Sequence, residues 1–250
     1  MRATMKKPAG KNKKTIGLLS AVPLEGSLLV RGMDRVGEDP ACGLTFFTGR
    51  LSGSRVVYAA SGIGKTNAAH AAALLIERHR PSLIINFGLG GAYPSSGLST
   101  GDIAVATKEI YADEGVLLGD GFHTLETIGL PFFSTGRKKY FNEFPLDRVL
   151  SGRALQAAKH IAGSKSGAFA TVSTCTGTDR RAKALSERFG AVCENMEGAA
   201  VAHLCLLHGI PCVEIRGISN IVEKRDTNKW ETGPASINCQ KAVLKFLDAF

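Results

Sequence analysis

Short apolar runs rich in β-branched residues alternate with alanine-rich stretches of helical spacing, and that alternation limits the fold of this chain more than any other feature. TIGLLSAV, SRVVYAA, SLIINFGL, GDIAVATKEIY, GAFATVST, AVCENM and PCVEIRGIS read as strands, with helices predicted over 65–79, near 179–189 and from 197 onward. Strands that are apolar throughout and separated by helices imply a largely parallel sheet with both faces covered. The expected fold class is α/β. The last segment, GPASINCQKAVLKFLDAF, carries Ile237, Val243, Leu244 and Leu247 at helical spacing and is predicted to close the domain as a helix. The middle, roughly 113–148, is rich in Gly, Phe, Pro and charge and shows neither period, which marks a functional excursion more than a linker.

At 250 residues the chain can bury a sizeable core, and a single domain is expected over 15–250. Residues 1–14, MRATMKKPAGKNKK, are basic and lack the apolar stretch of a secretory leader, so they read as a disordered tail. That tail holds Arg2, Lys6, Lys7, Lys11, Lys13 and Lys14, which leaves the body only about +3 of the formal +9. No basic stripe with interleaved aromatics follows, so nucleic acid is not an expected partner. No apolar run is long enough to span a membrane, and none is expected to. The six cysteines show no C-x-x-C and the six histidines no ligand spacing, so no metal site is expected; reduced thiols in a cytoplasmic protein are.

The run SGIGKT, Ser61 to Thr66, lies between a strand and a helix, as a phosphate-cradling loop does. Such a loop needs G-x-x-x-x-G-K-[ST], since a tight glycine turn lets successive backbone N–H groups surround a phosphate. Gly64, Lys65 and Thr66 fit, but Ala59 stands where the first glycine is required. A glycine turn that opens a helix accounts for the run without a nucleoside triphosphate.

Ligand sites of open α/β sheets form at the carboxyl ends of strands. Four motifs stand there: SAVPLEG, NFGLGGAY, ENMEGAA and RGISN. Each has a structural reading of its own. Glu25 follows Pro23 as a first-turn acid, GLGG makes a close turn, Glu197 begins a helix and Asn220 caps one. Together they suit cleavage of a ribose–purine bond, in which the sugar becomes oxocarbenium-like while the base leaves with negative charge. That reaction needs a carboxylate near the sugar, a donor at the base and a positioned nucleophile. Glu197 at a helix N-terminus is expected to stay ionised and to accept both ribose hydroxyls, with Met196 beside it as a soft apolar surface.

SGIGKTNAA, NFGLGGAYPSSGLSTGDIAVA, ENMEGAAVAH and EIRGISNIVEKRDTNKW resemble the superfamily of purine nucleoside phosphorylases and methylthioadenosine/S-adenosylhomocysteine nucleosidases. The resemblance runs from about Thr15 to Trp230 and is strongest to the futalosine hydrolases, the nucleosidases of menaquinone biosynthesis. It implies a three-layer phosphorylase/hydrolase-like fold, a twisted mixed β-sheet partly closed and flanked by helices. It also implies homo-oligomers, a small-molecule nucleoside and water as partners, and no metal or organic cofactor. By the same resemblance Glu25 binds and activates the attacking water, Arg216 helps to hold that water and to orient Glu25, and Met196 and Glu197 hold the ribose. Leu89, Gly90 and Gly91 of the glycine turn and Thr176 of STCTGTDR complete the implied substrate-binding set.

Three positions depart from the family pattern. Asn86 stands where phosphorylases of this fold carry a phosphate-binding arginine, so water is the expected nucleophile. Asn220 replaces the aspartic acid with which adenine-specific nucleosidases protonate the base. An amide cannot protonate N7, but its NH₂ donates to N7 or to a 6-oxo group, which suits hypoxanthine better than adenine. The STCTGTDR loop lacks the aromatic that related nucleosidases stack on the base, and Lys224 or Arg225 is the candidate cation for the carboxylate of futalosine. The expected activity is hydrolysis of futalosine to hypoxanthine and dehypoxanthine futalosine. An adenine-releasing nucleosidase, a phosphorylase and a non-catalytic nucleoside-binding protein are the alternatives.

Overall fold

The computed structural model describes residues 14–249, so the tail expected over 1–14 lies outside the described residues except for Lys14. Strand β1 (Thr15–Ser20) leads into helix α1 (Pro23–Gly32), whose first residue is the proline that cannot donate in a helical first turn. Strands β2 (Asp34–Ala41), β3 (Leu44–Leu51) and β4 (Ser54–Ala60) form an antiparallel meander, and β4 lies parallel to β1. Helix α2 (Lys65–His79) occupies the predicted span and delivers the chain to β5 (Leu83–Ala92). Strand β6 (Ile103–Tyr111) precedes the excursion. There the chain forms two small hairpins, β7 (Gly115–Leu118) with β8 (Gly121–Thr124) and β9 (Phe133–Thr135) with β10 (Lys138–Tyr140), before β11 (Glu143–Pro145) pairs with β6. Helix α3 (Arg148–Lys159), β12 (Ser164–Thr171), α4 (Asp179–Phe189), β13 (Ala191–Asn195), α5 (Gly198–Leu207), β14 (Cys212–Ile221) and α6 (Thr232–Asp248) complete the described chain.

The sheet closes on itself over part of its width. Strand β14 pairs with β5 and with β6, β6 with β12, β12 with β13, and β13 returns to β5 through Cys193–Ala92 and Glu194–Gly91. Strands β1, β4, β3 and β2 extend outward from β5 as an open wing. The sheet is mixed, as the family resemblance implies, and not largely parallel, as apolar periodicity alone predicts. The meander and the ring-closing pairs supply the antiparallel ladders. Strand β2, DRVGEDPA, is mostly exposed, so it carries no apolar run by which periodicity could find it.

Apolar layers cover both faces. Leu75, Ala71 and Ala72 of α2 and Ala199–Ala202 of α5 pack on one side, and Leu29 of α1, Ala154 of α3 and Val243 and Phe246 of α6 on the other. Ile237 is 44% exposed, so the buried stripe of α6 runs through Ala235, Cys239, Val243 and Leu247 and omits one predicted position. The aromatics of the excursion join the first layer, with Phe133 and Phe144 each stacked 4.9 Å from the ring of His203 on α5.

One irregularity positions the site. The first half of β5 follows β1 as far as Asn86 opposite Leu19, whereas its end pairs with β13 from Gly91 onward. Between them the strand turns away from β1 at Gly88, whose φ of +152° lies where L side chains are strained. A change of partner in an α/β sheet opens a crevice at the strand ends, and the loop after β1 borders it.

Candidate active site

Glu25 sits in the first turn of α1, 4% exposed. Its Oε2 accepts from the backbone N–H of Ala21 (2.8 Å) and of Val22 (3.0 Å), and its Oε1 from Leu89 N–H on β5 (2.7 Å). A Cβ at Gly88 would lie 2.5 Å from Oε1, so glycine is what lets the strand pass this carboxylate. Burial pushes the Glu25 carboxyl above its ordinary value of 4.5 and nearby Glu197 adds to this, while Arg216 and the backbone donors oppose it. A carboxylate whose pKa is raised is, when ionised, a stronger proton acceptor than an ordinary one.

Glu197 is the N-cap residue of α5 and 5% exposed. Its Oε1 accepts from Gly64 N–H of the SGIGKT turn at 3.0 Å, and its Oε2 faces Nη1 of Arg216 at 3.4 Å. Arg216, on β14, is fully buried. It donates through Nε to Glu214 (2.8 Å) and through Nη1 to the Leu89 carbonyl (3.1 Å). Burial works against its charge, but the carboxylates of Glu214, Glu197 and Glu25 outweigh burial and raise its pKa. Beneath Arg216, Glu109 accepts from Thr171 Oγ1 and from Asn195 Nδ2, both at 2.6 Å, and burial next to Glu214 drives its carboxyl well above the usual range. Asn195 Oδ1 in turn accepts from the N–H groups of Glu197 and Gly198, which fixes the start of α5.

At the other end, Ser219 Oγ donates to Asn220 Oδ1 at 2.8 Å, and Asn220 Nδ2 donates to the Ile221 carbonyl at 3.1 Å. That arrangement turns the NH₂ group away from Ser219 and leaves one N–H for a ligand. A Cβ on Gly91 would stand 3.2 Å from Asn220 Nδ2 and 2.7 Å from Val222, so only glycine admits this close approach of β5 to β14. Thr176 is held by Glu194, which accepts from its N–H (2.9 Å) and its hydroxyl (2.6 Å) and from Tyr93 OH (2.9 Å).

These ends belong to one cavity of about 270 Å³. Glu25, Leu89, Gly90, Gly91, Thr176, Met196, Glu197 and Asn220, all singled out from the sequence, line it. Arg216 is not among the lining residues; it lies beneath the floor, bonded to Glu197 and Leu89, while three backbone donors bond Glu25. Glu194, Ser219 and Trp230 also reach the cavity and escaped the sequence reading. Trp230 brings an aromatic ring that the STCTGTDR loop lacks, and the Arg225 guanidinium stacks on it at 4.6 Å. Arg225 lines the cavity, whereas Lys224 lines an adjoining hollow. Cys175, exposed at the cavity edge, has its Sγ 3.2 Å from Met196 Sδ, and partial desolvation raises its thiol pKa, which favours the neutral thiol. Among the described residues no cluster of three or more His, Cys, Asp or Glu side chains could hold a metal ion, and no helix is long and apolar enough to cross a membrane.

The model of the phosphorylase superfamily matches residues 15–250. The chain belongs to the phosphorylase superfamily. Within the superfamily it is 38% identical over 197 residues to a futalosine hydrolase of Thermus thermophilus, covering 79% of this chain and 83% of that protein. It is 30% identical over 219 residues to a 5'-methylthioadenosine/S-adenosylhomocysteine nucleosidase of Geobacillus, covering 86% and 89%. The solved structure of the Neisseria meningitidis 5'-methylthioadenosine/S-adenosylhomocysteine nucleosidase in complex with methylthio-immucillin-A superposes with a TM-score of 0.82 at 25% identity, over 95% of this chain and all of that one. Asn86 is 2% exposed on β5 and lies outside the cavity lining.

Proposed function

We propose that this N-glycosyl hydrolase cleaves futalosine, with water as the nucleophile, to release hypoxanthine and dehypoxanthine futalosine. The observation that carries the substrate is the base end of the cavity, where Ser219 orients the amide of Asn220 and no carboxylic acid stands at that position. A neutral N–H donor strengthens its bond to N7 or to a 6-oxo group as charge develops on the leaving base, and it has no proton to give to an adenine. Glu197 accepts the ribose hydroxyls, and buried Arg216 and the Gly64 N–H hold that carboxylate in place. Glu25 takes a proton from water as its oxygen bonds to C1′. The electron pair of the C1′–N9 bond leaves with the base. Asn86 in place of a phosphate-binding arginine favours water over phosphate.

The stacked pair of Arg225 and Trp230 is suited to the far end of the substrate, with the guanidinium meeting the carboxylate of futalosine. This reading sets the enzyme in the cytoplasm, in menaquinone biosynthesis, as a homo-oligomer. Chromatography of free base tests it, with futalosine, aminodeoxyfutalosine and methylthioadenosine each incubated with and without phosphate. Phosphate-independent hypoxanthine from futalosine is expected. Release of adenine from either 6-amino substrate at a comparable rate would favour the second reading, an adenine-releasing nucleosidase, which the 30% identity to such enzymes supports.

A further inference from the structure

The SGIGKT turn has a use that its resemblance to a phosphate loop conceals. Gly64 N–H holds Glu197 Oε1, and the next residue, Lys65, begins α2. A cation at a helix N-terminus opposes the helix dipole, so its place there calls for partners elsewhere. It has them just beyond β6, where the excursion starts. Lys65 Nζ donates to Asp113 Oδ1 at 2.5 Å and to Glu114 Oε1 at 2.9 Å, and it sits 5.1 Å over the Tyr111 ring. The Lys65 and Asp113 side chains are only 12% and 20% exposed. The other oxygen of Asp113 faces the base loop: Oδ2 accepts from Ser173 N–H at 2.5 Å and from Thr174 N–H at 3.4 Å. Two residues on, Thr176 lines the cavity and is tied to Glu194. Arg181, from α4, adds a bond to the Thr174 carbonyl at 3.2 Å.

We propose that Lys65 and Asp113 are positioning residues that latch the loop at 173–176 to the turn holding the ribose carboxylate Glu197, so that ribose and base are gripped in one register. Neither residue touches the cavity; Lys65 acts through Gly64, which bonds Glu197, and Asp113 through Ser173 and Thr174, which lead to Cys175 and Thr176 in the lining. The latch gives the excursion a task at its root, since Asp113 and Glu114 are the residues by which it reaches the site. Substrate binding should draw on the latch more than the chemical step does, because the hydrogen bonds to Glu25 come from Ala21, Val22 and Leu89, outside the latch.

This inference rests on the nucleoside-cleaving reading for its kinetics and is tested both with and without turnover. In the full chain, Lys65→Met and Asp113→Ala should each raise KM for futalosine about tenfold while kcat changes by less than about threefold, and Lys65→Arg should restore most of the affinity. Without substrate, amide hydrogen exchange at 173–176 should quicken in Lys65→Met and not in Lys65→Arg, while exchange in the core strand β5 is unchanged. Equal losses in KM and kcat, unchanged KM in Lys65→Met, or unchanged exchange at 173–176 would overturn the latch. If the wild-type protein releases no base from futalosine, the substrate is wrong, and the exchange measurement still decides the latch.

Discussion

The two ends of the cavity are built on opposite rules. At the ribose end, ionisable groups are stacked in depth: Glu25 and Glu197 line the crevice, Arg216 lies below them, and Glu214 and Glu109 lie below that, each bonded to backbone or to another member. At the proposed base end the group proposed to read the base is a neutral amide, bonded to the Ser219 hydroxyl and the Ile221 carbonyl, beside a tryptophan and a threonine. The carboxylate there, Glu194, is taken up by Thr176 and Tyr93. Charge buried in low dielectric acts strongly on a developing oxocarbenium ion but tolerates no loss of a partner. A neutral amide is easier to exchange, and so the base end is where a fold of this kind can change its substrate without rebuilding its catalytic apparatus.

The sharpest way to break this contrast is at Glu25. Glu25→Gln should lower kcat by about 10³-fold with the fold intact by circular dichroism, and wild-type-like turnover would remove Glu25 from its role. Glu197→Gln should cost about 10²-fold or more, since a neutral amide accepts ribose hydroxyls poorly and leaves the Arg216 charge without one partner. Asn220→Asp should lower futalosine turnover by about 10²-fold and shift preference toward 6-amino purine nucleosides. Unchanged selectivity would mean that another group reads the base. Arg225→Ala should raise KM for futalosine about tenfold and leave inosine, which lacks the carboxylate, unaffected, with Lys224→Ala close to wild type.

The smallest effects concern pH. Glu25 must be ionised to accept a proton and its pKa is raised, so the acid limb of kcat/KM should lie above the ordinary carboxylate value of 4.5. Stability should follow the same sign. Glu25 and Glu109 both have folded-state values above the unfolded one, so their contribution is fully present below about pH 4.5 and is lost as pH rises through the folded values. Tm should therefore decline from mildly acidic toward neutral pH, and Glu109→Gln, which matches the protonated acid in shape, should lessen that decline.

The five strands of the ring and strands β1 and β4 of the wing were legible because they advertise themselves locally, whereas β2, β3 and helix α3 were not predicted. Helix α2 occupies its predicted span, and each strand of the closed ring contains a short apolar stretch even where, as in β14, it also carries charge. Strand β2 escaped because an exposed edge needs no apolar run, and Ile237 misled because spacing alone cannot tell the buried side of α6 from its neighbour. In the site, motifs at strand ends led to Glu25, Glu197 and Asn220. Glu194 and Ser219 lie inside the motifs ENMEGAA and RGISN, yet nothing in their neighbours says that one would anchor Thr176 and the other would orient Asn220.

By itself the sequence determined the α/β class, most element positions and the chemical types available at the strand ends, because helix and strand periods, proline, glycine and capping preferences act over a few residues. Only the tertiary structure decided that Arg216 lies under the cavity floor, that β5 changes partner at Gly88, that Trp230 supplies the aromatic surface and that Lys65 binds Asp113. Those contacts join residues tens to more than a hundred positions apart in the chain. They depend on ring closure and on which side chains share a buried volume, and no local preference encodes either.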